Sequence, residues 1–412
     1  MVDDRVIGEI IAALTTPLEQ EHEPGLVTGK VPTEGEMGYP VPWEPYIMEL
    51  GPLHEETIQF TGDTYDEAYQ NLQDSFLLWG WGDGFPVVPP TRERVDAMLS
   101  GTSHAPDELM GSIWPSMGRC TVEKVAIQAV MAGAKPSYFP AILAAADAMI
   151  RAGQGFMFTQ QTTSPTTPFF LINGPAIQEM GINYGMCTLG PGAPSRANIA
   201  IGRAARLIMM NIGGGYVGVK DMDTIGQAGK FSLVTAEDEE HLAQLGWEPY
   251  HVQKGFAPTE STLTMWNNNN HTHVISMSTG SARGVLMAMA SGMSWTGGIN
   301  WQGGVSASAL ILMSGDLAQM CIEQGLTTQE DIANFMYPYV KADRESFIEY
   351  FSAGEEVYNW SMEAFEERWP VGDIYATNGQ NITVLRVGSM AGKEEVYEGG
   401  GKPTPVSIDY WR

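Results

Sequence analysis

Phe169-Phe170-Leu171-Ile172 is an unbroken apolar run, and Asn173-Gly174-Pro175 stops it at once. Four apolar residues without alternation, closed by a turn triplet, read as a strand buried on both faces. A long Gly/Pro loop, Gly181 to Ser195, follows, and then a helix over Asn198–Asn211. Phe231–Thr235 reads as the next strand, ending in the acidic run Glu237-Asp238-Glu239-Glu240. Strand, helix, strand in this order points to an α/β chain. Thr262–Trp266 and Thr272–Met277 are expected to pair as a hairpin around Asn267–Asn270. Further on, helices are expected at Ser281–Ala290, Leu317–Gln324 and Gln329–Tyr337, the last capped by Thr328. Ala309–Met313 and Ile382–Val387 read as strands, and residues 342–366 as an acidic, aromatic helical insertion.

Upstream, helices are expected at Tyr65–Trp79, Arg92–Leu99, Thr121–Ala134 and Tyr138–Ala152. Before them, one short helix near Asp4–Leu14 gives way to Pro24, Pro32, Pro40, Pro42, Pro45 and Pro52, which forbid long elements. Trp43, Tyr46, Ile47 and Met48 suit an arm that lies on its own body or on a neighbouring subunit. The expected architecture is α/β, with mixed sheets, flanking helices, two subdomains and a Pro-rich N-terminal arm. The boundaries fall at 1–65, 66–260 and 261–412.

The chain has 412 residues, with 22 basic against 49 acidic side chains, a formal charge of −27. Such a balance opposes binding to nucleic acid or to an anionic membrane, both of which need a basic footprint. Gly (47) and Pro (25) together exceed their ordinary share of about 12%. Tight turns and close backbone approaches are expected. Three widely spaced cysteines, Cys120, Cys187 and Cys321, make neither a disulfide framework nor a zinc ribbon. No signal peptide and no span of ~18 apolar residues are legible, so a cytoplasmic protein is expected.

Several blocks together resemble an uncharacterised bacterial family: large proteins associated with small thiol or selenol proteins that bear a Cys/Sec-Gly-Ser-Cys motif. The blocks are Asp83-Gly84-Phe85-Pro86-Val87-Val88-Pro89-Pro90-Thr91, Thr121 to Ile127 with Ala129 to Gly133, and Ile172-Asn173-Gly174-Pro175. Then come Asn198 with Ile201-Gly202-Arg203-Ala204, Asn211-Ile212-Gly213-Gly214, Gly229-Lys230-Phe231, Glu237 to Glu240, Trp247-Glu248-Pro249-Tyr250-His251, and the tail Val387 to Lys393. The likeness covers about residues 66–410, with 342–378 divergent. The small thiol/selenol module is absent from this chain. The resemblance implies reductive or eliminative cleavage of a carbon–heteroatom bond, in cooperation with a separate thiol or selenol protein. It also implies a His-rich stretch near His271 and His273, whose spacing differs here, and a small non-thiol residue where Cys120 stands.

Candidate chemistry gathers at five places. Arg203 and Arg206 lie three apart near the start of a helix that follows a Gly-rich loop, so they share a face and could grip a carboxylate or phosphate. The competing reading is internal pairing with the abundant acids. Lys230 opens a strand that Glu237 and Glu239 close, where bases or metal ligands of α/β sheets gather; a solvated acidic loop is the alternative. His251 follows a proline in an extended segment and joins them as a proton carrier. His271 and His273, spaced i, i+2, would project from one side of a strand as ligands of a divalent metal, although two exposed polar residues look the same. Cys120 sits at a predicted helix N-terminus beside Arg119, which would depress its thiol pKa; a buried core cysteine is the alternative. Gly213 to Gly218 matches G-x-G-x-x-G formally, but no helical pattern follows it.

These readings converge on an enzyme, of lyase or reductase class, acting on a small polar and anionic substrate. Arg203 and Arg206 would hold the anion, Asn173 and Asn198 would orient it, and Glu237, Glu239, His251, Lys230 and Cys120 supply the chemistry. The aromatic arm suggests a homo-oligomer. Two alternatives stand beside it: a non-catalytic large subunit that presents substrate or partner, and a metal-binding protein built on His271 and His273. Clustering decides between enzyme and subunit. Arg203, Lys230, Glu239 and His251 should meet in one pocket for the first and scatter for the second.

Overall fold

The computed structural model describes residues 51–52, 57–276, 280–294, 307–345, 349, 374–375, 382–390, 392–400 and 402–412. The expected Asp4–Leu14 helix, most of the Pro-rich arm and most of the 342–366 insertion lie outside these residues. The chain divides into two compact units, Met1–Gly80 and Trp81–Arg412. The first contributes helix α1 (Tyr65–Leu78), whose N-cap Thr64 accepts a bond from the Glu67 amide. The strands and the remaining described helices belong to the second.

Two four-stranded mixed sheets with flanking helices make an α/β fold. Sheet 1 has the order β12-β5-β3-β4, from β3 (Thr167–Asn173), β4 (Val234–Ala236), β5 (Thr262–Asn268) and β12 (Thr404–Ser407). Sheet 2 has the order β10-β7-β11-β6, from β6 (Asn270–Ile275), β7 (Ala307–Met313), β10 (Ile382–Arg386) and β11 (Lys393–Gly400). Two small ribbons stand apart: β1 (Leu109–Ile113) with β2 (Gly118–Thr121), and β8 (Lys341–Ala342) with β9 (Ile374–Tyr375).

All seven residues of β3 are buried, as a strand covered on both faces must be. Phe169, Leu171 and Trp266 from sheet 1 meet Leu310, Leu312, Leu385 and Tyr397 from sheet 2 in one apolar layer. The alternate residues of sheet 2, Ala309, Ile311, Met313, Val384 and Val396, face the opposite way. They pack against α10 (Ala282–Gly292), α11 (Gly315–Glu323) and α12 (Gln329–Met336). Thr328 opens α12 with a capping box to Asp331. Sheet 1 is covered by α4 (Phe139–Ala152) and α7 (Arg196–Asn211), with α3 (Val122–Met131) beside them. Helix α4 is buried from Phe139 through Met149, and its alanines let neighbours approach closely. The order of layers is therefore helix, sheet, sheet, helix.

The expected hairpin of β5 with β6 is not formed. After Asn268 the chain leaves sheet 1 and enters sheet 2, where β6 pairs antiparallel with β11. The Asn269 amide bonds the Glu398 carbonyl at 2.7 Å at the crossing. Here Gly399 lies so close to the Asn267 carbonyl that a Cβ would overlap it. Chain segment β11–β12 makes the reverse passage, from sheet 2 to sheet 1.

The two sheets repeat one topology. Strand β3 lies parallel to β4 and antiparallel to β5, which is antiparallel to β12. Strand β7 lies parallel to β10 and antiparallel to β11, which is antiparallel to β6. Even the closing bonds match: the Glu237 amide meets the Ile172 carbonyl, and the Val387 amide meets that of Met313. Asn173-Gly174-Pro175 after β3 thus corresponds to Ser314-Gly315-Asp316 after β7. Divided between β6 and β7, the chain falls into two halves, and each sheet takes its fourth strand from the other half.

Candidate functional site

The carboxyl end of the parallel pair β3/β4 gathers four of the side chains singled out from sequence. Asn173 is the last residue of β3. Its Nδ2 donates to Glu237 Oε2 at 2.8 Å and to Glu239 Oε1 at 2.7 Å. Gly174, with φ of 82°, turns the chain so that its own amide also donates to Glu239 Oε1, at 2.8 Å. His251 lies in the short helix α9 (Tyr250–Gln253), after α8 (Glu239–Leu245). Its Nδ1 is 3.5 Å from Glu239 Oε1, close enough for charge coupling but too long for a strong hydrogen bond. Glu237 Oε2 also accepts the Tyr250 amide at 2.7 Å, which fixes the start of the His251 helix.

Asn173, Glu237 and His251 are buried, whereas the Glu239 side chain keeps 21% of its surface exposed. Glu239 is therefore the member of the four that reaches solvent. Burial pushes the Glu237 carboxyl up to about 8, against the opposing pull of the bonds from Tyr250 and Asn173. The neighbouring carboxylates of Glu239 and Asp238 raise it further. At neutral pH Glu237 is mostly a neutral acid. Among the described residues, Glu237 Oε1, Asn173 Oδ1 and both His251 ring nitrogens have no hydrogen-bond partner.

Asp238 faces away from this group. Its carboxylate takes Arg386 Nη1 at 2.7 Å and His241 Nδ1 at 2.9 Å, while its amide donates to the Arg386 carbonyl. Arg386 ends β10, so the carboxyl ends of β4 and β10 are tied together. Tyr184 donates to Glu240 Oε2 at 2.9 Å on the same rim.

The remaining candidates do not join the cluster. Arg203 spends its guanidinium on Asp83, at 2.7 and 2.8 Å, and on the Phe85 and Pro86 carbonyls. Arg206 donates to the Lys230 carbonyl and to Thr167 Oγ1, and lies 3.8 Å from Asp221. Lys230 Nζ pairs with Asp221 at 2.8 Å and Asp223 at 2.6 Å. Thr167 begins β3 and Asn173 ends it, about 20 Å apart at the usual rise of a strand. Arg206 and Lys230 therefore serve the far end of the sheet. Asn198 is a structural hub, bonded to the Asn183 amide and carbonyl and to the Val234 carbonyl. The test of convergence is thus met by Glu239 and His251, and not by Arg203 or Lys230.

Cys120 is a correction. It ends in β2 with its side chain buried, one residue before the N-cap Thr121, and burial raises its thiol to about 12. A thiolate is disfavoured there, opposite to the depression expected from Arg119 and a helix start. Cys321 is buried with a thiol raised likewise to about 12, and Cys187 is exposed. His271 and His273 do share one face of β6, both exposed, and His271 stacks on Tyr397 with centroids 5.4 Å apart. No group of three or more His, Cys, Asp or Glu that could hold a metal occurs among the described residues.

Three features escaped the sequence reading. Thr262 pairs with Asn173 across β3 and β5 and puts a buried hydroxyl beside the cluster. The Asp238–Arg386 pair joins residues far apart in the chain. The corresponding corner of sheet 2 buries Glu394, which accepts from Ser276 Oγ, Ser314 Oγ and the Ser314 amide, each at 2.6 Å. Burial raises its carboxyl too. Both its oxygens have partners, which sets this corner apart from Glu237. Strand β11 itself gave no signal, because its charged residues obscured the pattern. A separate open hollow of about 350 Å3, lined by Ser100, Pro136, Ser137, Glu179 and Arg412 among others, takes none of the four cluster side chains.

No family model, curated protein or solved structure matches this chain. No helix among the described residues is long and apolar enough to cross a membrane.

Proposed function

We propose that the chain is an enzyme that moves protons on a small polar substrate at the carboxyl end of β3 and β4. The observation that carries this reading is Glu237: a buried carboxyl, raised to about 8, with Oε1 unpartnered among the described residues, bonded to the Tyr250 amide next to His251 in the chain. A carboxylic acid held neutral near pH 7 and an imidazole without hydrogen bonds, both linked to Glu239, can act as an acid–base couple. Of the reductive and eliminative cleavages that the family resemblance implies, elimination uses such a couple most directly. His251 takes a C–H proton, and the electron pair of that bond forms the new double bond. The leaving group departs with the pair of the broken carbon–heteroatom bond and the proton of Glu237. Asn173 holds Glu237 and Glu239 in register, and Glu239 marks the way in from solvent.

The test is turnover of a panel of small amino, hydroxy and thio compounds in D2O. Products and deuterium incorporation are followed by NMR. Glu237→Gln and His251→Asn should each lower turnover at least 100-fold in folded protein, as removal of a general acid or base does. Full turnover in both variants would overturn the assignment and leave the cluster a structural clamp.

A further inference from the structure

The unsatisfied atoms of this corner share one character. Asn173 Oδ1, Glu237 Oε1, Thr262 Oγ1 and Thr264 Oγ1 are all oxygens able to accept a hydrogen bond, and all belong to buried residues. Thr262 lies opposite Asn173, and Thr264 projects from the same face two residues along β5. The His251 ring adds a further nitrogen acceptor in its neutral form. The acceptors thus come from β3, the β4 end, β5 and α9.

Arg386 and His241 both bind Asp238, which faces away, and His251 Nδ1 lies 3.5 Å from the Glu239 carboxylate. An anion placed here would meet Glu237 and Glu239 with no guanidinium or ammonium offered to it by the corner. A divalent metal would need a group of ligands that is absent among the described residues. An ammonium group carries three N–H donors and one positive charge, the complement of this set.

We propose that the corner binds the ammonium group of a small amine, so that the substrate enters amine-first rather than carboxylate- or phosphate-first. This rests on the reading of the same corner as the proton-transfer site. Glu237 accepts from Asn173 on β3 and from the Tyr250 amide of α9, and Glu239, which shares the Asn173 amide with it, lies 3.5 Å from His251 Nδ1. The part-exposed Glu239 carboxylate supplies the counter-charge to the ammonium, while Glu237 keeps the proton that the elimination uses.

The experiment is titration calorimetry of the full chain at pH 7 with methylammonium chloride, sodium acetate and sodium phosphate. Methylammonium should bind saturably, at least tenfold more weakly in Thr262→Val and Glu239→Gln. Thr262→Val nearly preserves shape, so it tests the site without emptying it. Acetate or phosphate binding that the same variants weaken overturns the inference, as does no saturable methylammonium binding, or binding unchanged in both variants. Turnover lost in Glu237→Gln while methylammonium fails to bind would remove the amine inference alone. Methylammonium bound as expected while both proton-transfer variants keep full turnover would remove the catalytic reading alone.

Discussion

Asp238 and Arg386 join the two sheets twice, through a backbone bond of 2.9 Å from the Asp238 amide to the Arg386 carbonyl and through a side-chain pair of 2.7 Å. Both side chains are almost wholly buried. The pair holds the ends of β4 and β10 together and so sets the position of Glu237 and Glu239, on either side of Asp238. Arg386→Met leaves a buried carboxylate with the His241 contact alone. Urea unfolding should show a loss of about 3–5 kcal/mol.

Glu237 makes stability depend on pH with a definite sign. Its carboxyl is raised to about 8 in the folded protein, so the folded chain keeps a proton that the unfolded chain releases above about 4.3. Between these values stability falls as pH rises, on the order of 1 kcal/mol per pH unit from this group. Glu237→Gln mimics the protonated acid and removes the dependence. Denaturation curves of the two proteins should draw apart from pH 5 to pH 8, with the Gln variant gaining relative to the parent.

Arg203 and Asp83 form a two-bond ion pair with little solvent exposure. Arg203→Ala should cost about 2–3 kcal/mol of stability. Methylammonium binding should stay within twofold of the parent, since Arg203 anchors the Asp83–Phe85 loop to α7 rather than holding a ligand. A large loss of affinity would place Arg203 back among the binding residues.

The three cysteines should differ sharply toward a thiol reagent. Cys187 is exposed, and Cys120 and Cys321 are buried with thiols raised to about 12. In native buffer one thiol should be labelled quickly, and the other two after unfolding. Mass mapping of the label identifies the residue.

Gly399→Ala tests the strand crossing. The added Cβ would collide with the Asn267 carbonyl, a backbone atom that cannot swing aside. A loss of at least about 2 kcal/mol is expected, read from thermal or urea unfolding.

The parts of the fold that local pattern decides were legible. Phe169 to Ile172 announced a doubly covered strand, and Arg92–Leu99, Gln329–Met336 and the helix ending at Asn211 follow from spacing and end residues. The hairpin reading of Asn267–Asn270 failed because a turn and a crossing use the same local chemistry. The partner that decides, Glu398, lies far along the chain. Strand β11 was hidden for a related reason: Glu394 and Glu398 are buried, which no local rule anticipates. In the candidate site, strand-end reasoning led to Asn173, Glu237 and Glu239. The arginines misled because their acidic partners are set by tertiary structure, Asp83 being 120 residues from Arg203.

The exchange of strands between the sheets has a consequence for the order of folding. Thr262 of β5 pairs with Ser407, so sheet 1 is completed by residues made about 140 positions later. On the ribosome, the first half must wait with β5 uncovered on one edge until the second half has emerged. An unpaired edge is a template for mispairing, so this interval is the chain's most exposed moment. The Asn173–Glu237 corner is built from β3, the end of β4, β5 and α9, all made before β6, so its parts stand ready while that outer edge of sheet 1 is still open.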